Sequence, residues 1–312
     1  MVKVLSPVTS DDIPDSIQVI LSARTEAKAN KDFARADLLR RDAEQLGYVI
    51  NDKGGGLQEV LKIGDSDSKP LKNFLILFGS GEIAPTSVDI YRSTFLQFGK
   101  RDITISLITT PAGFQPNVAA VYEEIRDFLL ASLPDFNLNI QLVPVNTRAE
   151  AGKPEYLDQI KSSDVIFLGP GSPTYGIRQL KNTKIEQAII DQVKNGSTLI
   201  LASAATITFS QHALPVYEIY KVGEDMYWES GLNLYKEFWQ EVSIIPHFNN
   251  REGGGGLDTS YCYVGKARAE KLLSMLPSDA KVMGIDEHTA LIIDLATKEQ
   301  LVRGKGKVNQ VK

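Results

Sequence analysis

The chain of 312 residues contains one cysteine, Cys262, and only three histidines. A single cysteine excludes an intramolecular disulfide, so we expect a reducing compartment. The scarcity of histidine also narrows the search for a general base, because only His212, His247 and His288 are available. Any chemistry that needs a histidine must therefore use one of these three positions.

Long apolar runs are absent as well. No stretch approaches the roughly 20 apolar residues of a membrane-spanning helix, and the first residues lack the apolar core of a signal peptide. The formal net charge of -5 argues against a nucleic acid or an anionic membrane surface as the main partner. The hydrophobic content of 43% and the charged content of 23% are ordinary for a globular protein. We therefore expect a cytoplasmic protein without a membrane partner.

Two amphipathic segments open the chain. Acidic residues and a proline begin a helical pattern of apolar residues over 10–30, and a second pattern over 33–46 ends before Gly47. Two such helices in succession predict an antiparallel hairpin. We assign this N-terminal helical hairpin to residues 1–63, followed by a short polar linker at 64–70.

The rest of the chain, residues 71–312, alternates short apolar runs with helical patterns. Four of these runs end in turns of small residues, at 79–82, 109–113, 169–173 and 202–203. Repeated strand, turn and helix predict βαβ units, and hence an α/β fold with three layers (α/β/α) and a mainly parallel sheet. Ligand sites of such sheets lie beyond the carboxyl ends of the strands, so we expect the four turns to meet at one edge.

One of these turns carries a serine. Residues 197–206 begin as a buried strand and place Ser203 among alanines, where a strand-to-helix turn is expected. Such a turn can present a serine hydroxyl to a substrate, although a small-residue turn without chemistry has the same pattern. A nucleophilic serine also needs a base and a third group that orients the base.

His247 is the best-placed base among the three histidines, because it follows an apolar run at the end of a predicted strand. We place His212 about two and a half turns along the helix that Ser203 opens, too far to reach back. His288 follows Glu287 on a segment that we expect to be extended. Neighbours on an extended segment point to opposite faces, so Glu287 and His288 would not both face the site.

Four segments together resemble the dipeptidase E/cyanophycinase family of serine peptidases, which have the class I glutamine amidotransferase-like fold. The resemblance spans about residues 72–295 and is carried by the segments 169–175, 202–205, 246–251 and 284–291. Its best-matching parts are His-Phe-x-x-Arg, which begins at His247, and Gly-Ile-Asp-Glu-x-Thr-Ala, which begins at Gly284. The resemblance implies that Ser203 is the nucleophile, His247 the general base and Glu287 the orienting carboxylate.

An oxyanion hole needs backbone N–H groups aimed at the developing negative charge. Ala204 directly follows the candidate nucleophile and supplies one. The turn at 169–171 supplies the other, and we assign it to Gly171 because Pro170 has no N–H. Arg251 matches a family position that is implied to bind an acidic side chain or a carboxylate of the substrate, which the planar guanidinium suits. A surface arginine without that role is the alternative.

The chain departs from the family at the nucleophile turn. The family has glycine two residues before and two residues after the serine, whereas this chain has Leu201 and Ala205. Leu201 is the larger departure, because side chains collide in a strained turn, and it predicts a relaxed turn. A second arginine expected soon after Arg251 is replaced by glycine, which puts a preference for aspartyl substrates in doubt. Residues 224–240 contain both tryptophans and fit a lid, a pocket wall or a dimer contact.

Residues 24–42 and 46–52 resemble the C-terminal helical segment of cysteinyl-tRNA synthetases, most specifically in the run Lys-Asp-Phe-Ala-Arg-Ala-Asp from Lys31. The catalytic domain of that enzyme is absent. The resemblance implies a tRNA-facing module, but residues 11–53 carry seven Lys/Arg and nine Asp/Glu, a net charge of −2. A module that neutralises phosphates should be basic, so we favour a structural or partner-docking hairpin over tRNA binding.

These features together predict a serine hydrolase that acts on a small peptide or related amide substrate without a cofactor or a metal. A catalytically silent, amidotransferase-like ligand-binding module is the alternative, which Leu201 and the missing arginine favour. A third interpretation, based on the synthetase-like hairpin, is a translation-linked accessory protein. The sequence leaves the formation of a homo-oligomer open.

Overall fold

The computed structural model describes residues 5–9, 12–53, 57–63 and 73–312. The chain divides into two compact units. The first consists of the described part of Met1–Lys72 with Tyr91–Asp102 and Asp135–Asn137, and the second consists of the other described residues. The linker predicted at 64–70 lies outside the described residues, so a domain boundary there stays a prediction. No helix in the described ranges is long and apolar enough to cross a membrane.

The N-terminal part of the first unit contains two helices and a small antiparallel sheet. Its N-terminal elements are β1 (Leu5–Pro7), α1 (Asp15–Ala29), α2 (Phe33–Gln45), β2 (Tyr48–Asp52) and β3 (Gln58–Ile63). Helices α1 and α2 form the predicted hairpin, and the Asp32 carboxylate caps α2 by accepting a hydrogen bond from the Arg35 N–H. The strands pair in the order β1-β3-β2, a sheet that the sequence pattern did not predict.

Arg24 on α1 holds the helical hairpin to this sheet. Its side chain is 1% exposed, and its Nε donates to the Ala36 carbonyl on α2. Its guanidinium donates to both carboxylate oxygens of Asp52 on β2, at 2.7 and 2.8 Å, and to Gln58 on β3 at 2.7 Å. The hydrogen bond from Arg24 is the largest cause that lowers the pKa of Asp52, followed by that from Lys28. One buried cation therefore joins both helices to two strands.

The remaining elements alternate between strand and helix up to residue 208, as the sequence pattern predicts, whereas the last four strands, within 282–310, follow one another without a helix. The strands are β4 (Phe74–Phe78), β5 (Asp102–Ile108), β6 (Asn137–Val143), β7 (Val165–Leu168), β8 (Thr198–Ala202), β9 (His212–Ala213), β10 (Glu229–Ser230), β11 (Ser243–Ile245), β12 (Val282–Ile285), β13 (Thr289–Asp294), β14 (Gln300–Gly304) and β15 (Val308–Gln310). The helices are α3 (Val88–Leu96), α4 (Val118–Ser132), α5 (Pro154–Lys161), α6 (Pro173–Leu180), α7 (Lys184–Lys194), α8 (Ala204–Thr208), α9 (Tyr235–Phe238) and α10 (Lys266–Met275).

A seven-stranded sheet has the strand order β14-β13-β4-β8-β7-β5-β6. Strands β4, β8, β7 and β5 are parallel to one another, whereas β13 and β14 run antiparallel at one side. Strands β4, β7 and β8 are buried along their whole length, which explains why they read as uninterrupted apolar runs in the sequence. The predicted three-layer α/β fold with a mainly parallel sheet is confirmed.

The turns that follow the parallel strands meet at one edge of this sheet. The Ser172 N–H, after β7, donates to the Pro111 carbonyl at 2.8 Å, and the Ser203 N–H, after β8, donates to the Phe78 carbonyl at 3.3 Å. A second sheet, with the order β11-β12-β15, brings the ends of β11 and β12 to the same place. The residues that follow β4, β5, β7, β11 and β12 are therefore gathered around Ser203, which itself follows β8.

Candidate active site

Ser203 lies between the end of β8 and the start of α8. Its backbone has φ 51° and ψ −116°, a conformation that residues other than glycine rarely adopt. The carbonyl of Ser203 accepts hydrogen bonds from both the N–H and the hydroxyl of Thr206, at 3.0 and 2.7 Å. The serine is therefore held on a strained strand-to-helix turn, which is the backbone form that exposes a serine hydroxyl.

The relaxed turn expected from Leu201 is not found. Leu201 is fully buried, and it pairs with Leu77 and Leu168 on the two neighbouring strands. Its side chain lies in the core beneath the turn because the position two residues before the serine still belongs to β8. Ala205 is also fully buried in the first turn of α8, where the structure accommodates its methyl group. Neither departure from the family prevents the strained conformation of Ser203.

His247 follows β11 and is fixed through its backbone. Its N–H donates to the Gly79 carbonyl at 3.0 Å, and its own carbonyl accepts from the Cys262 N–H at 3.2 Å. Gly79 permits close approach of the turn after β12, since a Cβ there would lie 2.2 Å from the Asp286 carbonyl oxygen. His247 also has a positive φ of 48°. Two hydrogen bonds and an unusual backbone conformation thus set the position of its ring.

The imidazole of His247 lies between Ser203 and Glu287. Its Nε2 is 2.9 Å from Ser203 Oγ, and its Nδ1 is 2.9 Å from Glu287 Oε1. The hydrogen bond from His247 is the largest cause that lowers the pKa of Glu287, so this carboxylate is ionised and can only accept hydrogen bonds. In the neutral imidazole, Nδ1 must therefore carry the proton, and Nε2 is free to accept from the Ser203 hydroxyl.

Asn250 belongs to the same hydrogen-bonded group, although the sequence did not single it out. It is buried, and its Nδ2 donates to Glu287 Oε1 at 2.9 Å. Its neighbour Asn249 accepts from the Glu287 N–H at 2.8 Å. Two consecutive asparagines thus fix both the side chain and the backbone of Glu287. The sequence places them between His247 and Arg251, but that position does not reveal where their side chains point.

The turn after β7 places Gly171 beside Ser203, and both residues line one cavity together with His247 and Ala204. Gly171 has φ 147°, and a Cβ there would lie 2.0 Å from the Pro111 carbonyl oxygen. A side chain at this position would collide with the Pro111 carbonyl, so only glycine fits. The neighbouring turn after β5 sets how closely the Gly171 backbone approaches the cavity.

The backbone donors of this turn differ in their availability. The Gly169 N–H donates to the Tyr122 hydroxyl at 3.3 Å, and Pro170 has no N–H. The N–H groups of Gly171 and Ala204 make no hydrogen bond to another described residue. The residues that carry these two groups both line the cavity.

Tyr261, Cys262 and Tyr263 form a left-handed turn beside His247. Their φ angles are 52°, 56° and 70°, and each such residue costs about 1–2 kcal/mol in backbone energy. The centroid of the Tyr263 ring lies 5.6 Å from that of the His247 ring. Burial raises the pKa of the Cys262 thiol.

Ten described non-glycine residues have a positive φ, and six of them lie at this site: Ser203, His247, Tyr261, Cys262, Tyr263 and His288.

Arg251 is exposed, and its side chain makes no hydrogen bond or ion pair with another described residue. It does not line the cavity around Ser203. The structure thus brings Ser203, His247 and Glu287 together and leaves Arg251 on the surface of the same turn. Within the described ranges, no three His, Cys, Asp or Glu residues are grouped so that they could hold a metal ion.

The positions expected for the other two histidines, His212 and His288, are wrong. Helix α8 ends at Thr208, so His212 lies on β9 instead of further along that helix. The chain leaves the helix because Ser210 and Gln211 are hydrogen-bonded to the backbone at β11. Glu287 and His288 occupy a turn and not an extended segment, since His288 has φ 53° and its N–H donates to the Ser80 hydroxyl.

The aromatic segment 224–240 packs against the core, with Tyr235 and Phe238 buried and both tryptophans half-buried. Tyr235 is fully buried and donates its hydroxyl proton to the Thr206 carbonyl at 2.8 Å, and Phe238 is also buried. Trp228 Nε1 donates to the Leu272 carbonyl at 2.7 Å. No residue of the segment lines the cavity around Ser203, so the expected pocket wall is not found.

Residues 75–301 match Peptidase family S51. The fold is similar to the crystal structure of a peptidase from an acI-B1 Actinobacterium, with a TM-score of 0.61 and 25% sequence identity. That similarity covers 77% of this chain and 91% of the other chain. The range matched by the family contains Gly171, Ser203, Ala204, His247, Arg251 and Glu287. The resemblance expected from the sequence segments is confirmed.

Residues 10–59 match the family described as Cysteinyl-tRNA ligase anticodon binding domain. Cysteine–tRNA ligase from Cupriavidus pinatubonensis is 46% identical over 46 residues, and that from Cupriavidus taiwanensis is 44% identical over 46 residues. Each similarity covers 15% of this chain and 10% of the relative. The chain thus spans about a tenth of the length of the curated relatives it matches. The resemblance expected for the N-terminal segment is confirmed.

Proposed function

Because this chain belongs to peptidase family S51, we propose that it is a serine hydrolase that cleaves a peptide or related amide bond through Ser203, His247 and Glu287. The observation that carries this proposal is the contact of 2.9 Å between Ser203 Oγ and His247 Nε2. A nucleophile and its base must be within hydrogen-bond reach of each other, and the base must be oriented by a third group. Glu287 Oε1, 2.9 Å from His247 Nδ1, meets the second requirement.

In the proposed first step, Ser203 Oγ attacks the scissile carbonyl carbon while its proton passes to His247 Nε2. The ionised Glu287 stabilises the imidazolium that forms and keeps Nδ1 protonated. When the tetrahedral intermediate collapses, the C–N bond breaks and His247 gives its proton to the leaving amine. A water molecule then attacks the acyl–serine ester, with His247 again as the base, and the acid product and free Ser203 result.

The negative charge of the tetrahedral intermediate is assigned to the N–H groups of Gly171 and Ala204. Both border the cavity with Ser203, and neither donates to another described residue. Preformed donors of this kind need no reorganisation when charge develops, and one of them is typically worth a factor of about 10²–10³ in kcat. Arg251 is proposed to bind a carboxylate of the substrate outside the cavity, since its exposed guanidinium has no internal partner.

One of the two features that favoured the catalytically silent alternative, the relaxed turn expected from Leu201, is not found, because Ser203 has the strained backbone that displays a hydroxyl. The other feature, the missing second arginine, still favours that alternative. Strain persists only where the surrounding structure enforces it. A binding pocket without chemistry would not need Ser203, His247 and Glu287 in a single hydrogen-bonded line.

The test is labelling by a fluorophosphonate probe, which reacts with activated serines. The wild-type protein should be labelled, and Ser203→Ala should not be labelled while it keeps the circular dichroism spectrum and thermal midpoint of the wild type. Ser274→Ala is the control, because Ser274 is exposed on α10, does not line the cavity around Ser203, and among the described residues its hydroxyl bonds only to the Lys271 carbonyl. Equal labelling of the wild type and Ser203→Ala would contradict the proposal.

We also propose that the N-terminal hairpin has a structural or partner-docking role and does not bind tRNA. Arg24, its buried cation, is neutralised within the unit by Asp52, and Lys28 contacts the same carboxylate. Arg40 and Lys53 are also paired, with Asp37 and Glu59, so at least four of the seven basic side chains in residues 11–53 are occupied internally, which lowers the attraction to phosphates. Filter binding of the full chain at low salt should detect no submicromolar affinity for tRNA, and such an affinity would overturn this assignment.

A further inference from the structure

The cavity beside Ser203 has an apolar interior that the proposed chemistry does not require. Apart from the proposed machinery, it is lined by Pro173, Ile207, Val216, Tyr217, Cys262 and Tyr263. Ile207, Val216 and Cys262 are buried, so their side chains present fixed apolar surface. None of the lining residues is an aspartate, glutamate, lysine or arginine.

The two acidic side chains next to this lining are engaged elsewhere, and the nearby cation, Arg251, lies outside the lining. Glu252 accepts a hydrogen bond from the Tyr263 hydroxyl at 3.2 Å. Glu218, which follows Tyr217, accepts from the Thr174 hydroxyl at 2.5 Å. Arg251 is exposed and outside the lining. A carboxylate placed in the cavity would therefore lose water without gaining a cationic partner, which is strongly unfavourable.

The size of the cavity narrows the group that fits. Its volume is about 50 Å³, well below the roughly 150 Å³ of a protein cavity that holds benzene. Because the cavity is open on one side, that space suits an aliphatic side chain no larger than that of leucine. The cavity also touches Ser203, Gly171 and Ala204, so its occupant would belong to the residue whose carbonyl is attacked.

We propose that this cavity is the specificity pocket of the enzyme and that it receives a short aliphatic side chain from the residue that supplies the scissile carbonyl. The inference rests on the proposed function. It distinguishes this protein from a hydrolase that selects an acidic residue at that position. Arg251 keeps its proposed role toward a carboxylate elsewhere in the substrate.

The test compares three side chains of similar shape: leucine, asparagine and aspartate. Aminoacyl p-nitroanilides of each, with free and with acetylated amino groups, are offered to the full-length protein, and kcat/KM is measured. Because each buried methylene is worth about fourfold and an unpaired buried polar group is penalised further, kcat/KM should fall in the order leucine, asparagine, aspartate. We expect leucine to exceed aspartate by at least about 100-fold.

A variant probes the pocket itself. Tyr217 lines the cavity and is 37% exposed, so Tyr217→Arg adds a cation at the rim without disrupting the core. This variant should raise the ratio of aspartate to leucine turnover by at least about tenfold, because the carboxylate gains a partner. Val222→Arg is the matched control. Val222 is 71% exposed and outside the lining, so the ratio should stay at the wild-type value.

Fluorophosphonate labelling of every sample separates this inference from the function on which it rests. A labelled wild-type protein that prefers aspartate, or that cleaves none of the three series, overturns the apolar pocket while the serine hydrolase stands. An equal change of the ratio in Tyr217→Arg and Val222→Arg also overturns it. A wild-type protein that is not labelled overturns the proposed function and this inference together.

Discussion

Asn250 Nδ2 and His247 Nδ1 both lie 2.9 Å from the same oxygen of Glu287. The carboxylate is thus held from two sides, and one of its two partners takes no part in the proposed proton transfers. A catalytic carboxylate depends on such support, because a displacement of about 1 Å can cost a factor of about 10² in rate. Asn250 is therefore a positioning residue for Glu287 and, through Glu287, for His247.

Replacing Asn250 should lower kcat with little effect on KM. We expect Asn250→Ala to reduce kcat by about 10- to 100-fold, measured with whichever p-nitroanilide the wild type cleaves best. Asn250→Asp places a second carboxylate beside Glu287 and raises one pKa of that pair; the shared proton lets the introduced carboxyl donate to Glu287 as the amide does, so the loss of kcat relative to the wild type should grow as the pH rises and that proton is lost. The exposed Asn195→Ala is the control. If Asn250→Ala changed KM alone, the positioning role would be wrong.

Gly171 should not tolerate a side chain, because a Cβ would collide with Pro111. This steric effect can be tested separately from the effect of its positive φ. Gly171→Ala brings a Cβ within 2.0 Å of the Pro111 carbonyl oxygen, which must move the turn that carries the proposed oxyanion donor. We expect kcat/KM to fall by at least about 100-fold. The measurement is steady-state kinetics alongside thermal unfolding.

Gly196→Ala is the matched control for that variant. Gly196 also has a positive φ, 113°, but nothing lies within 4 Å of its added Cβ. Its free energy of unfolding should drop by only about 1 kcal/mol, with kcat/KM unchanged. Equal activities of the two variants would show that the close contact with Pro111 does not matter for the site.

The pair formed by Arg24 and Asp52 should make the N-terminal hairpin sensitive to acid. The pKa of Asp52 is lower in the folded unit than in an unfolded chain, so its stabilisation is complete above the usual range near 4 and is lost as the pH falls below it. The protection factors of the α1 amides in the full chain, which correct for the pH dependence of intrinsic exchange, should fall over that range.

Asp52→Asn should remove this stabilisation already at neutral pH. We expect a loss of about 2 kcal/mol in local stability at pH 7 and a weaker dependence on acid than in the wild type. Glu44→Gln, at an exposed position of α2, makes the same change of charge and should leave the exchange of α1 unaltered. Identical exchange profiles for the wild type and Asp52→Asn would contradict the role of Arg24 as the link between helices and sheet.

The sequence predicted the elements whose signals are local. Strands β4, β7 and β8 read as apolar runs because both of their faces are buried, and the small-residue turns follow directly from strand ends. The parallel order then placed Gly171 and Ser203 at one edge. The resemblance of segments such as 246–251 supplied the residues that come together with Ser203.

The errors arose where distant contacts decide the local backbone. Leu201 predicted a relaxed turn, yet the sheet buries its side chain and the strain falls on Ser203. His288 was expected on an extended segment, but the Ser80 hydroxyl holds its N–H in a turn. Asn250 went unnoticed because only the folded chain shows that its side chain points to Glu287. None of these contacts has a signature within a few residues of sequence.

The central claim is that Ser203 is a nucleophile activated by His247, and intact-mass and peptide mapping of a fluorophosphonate adduct tests it most directly. The wild type should gain one adduct, located on Ser203, and His247→Ala should slow its formation by at least about 100-fold while the fold is retained. An adduct on any other residue, or an unchanged rate in His247→Ala, would contradict the account.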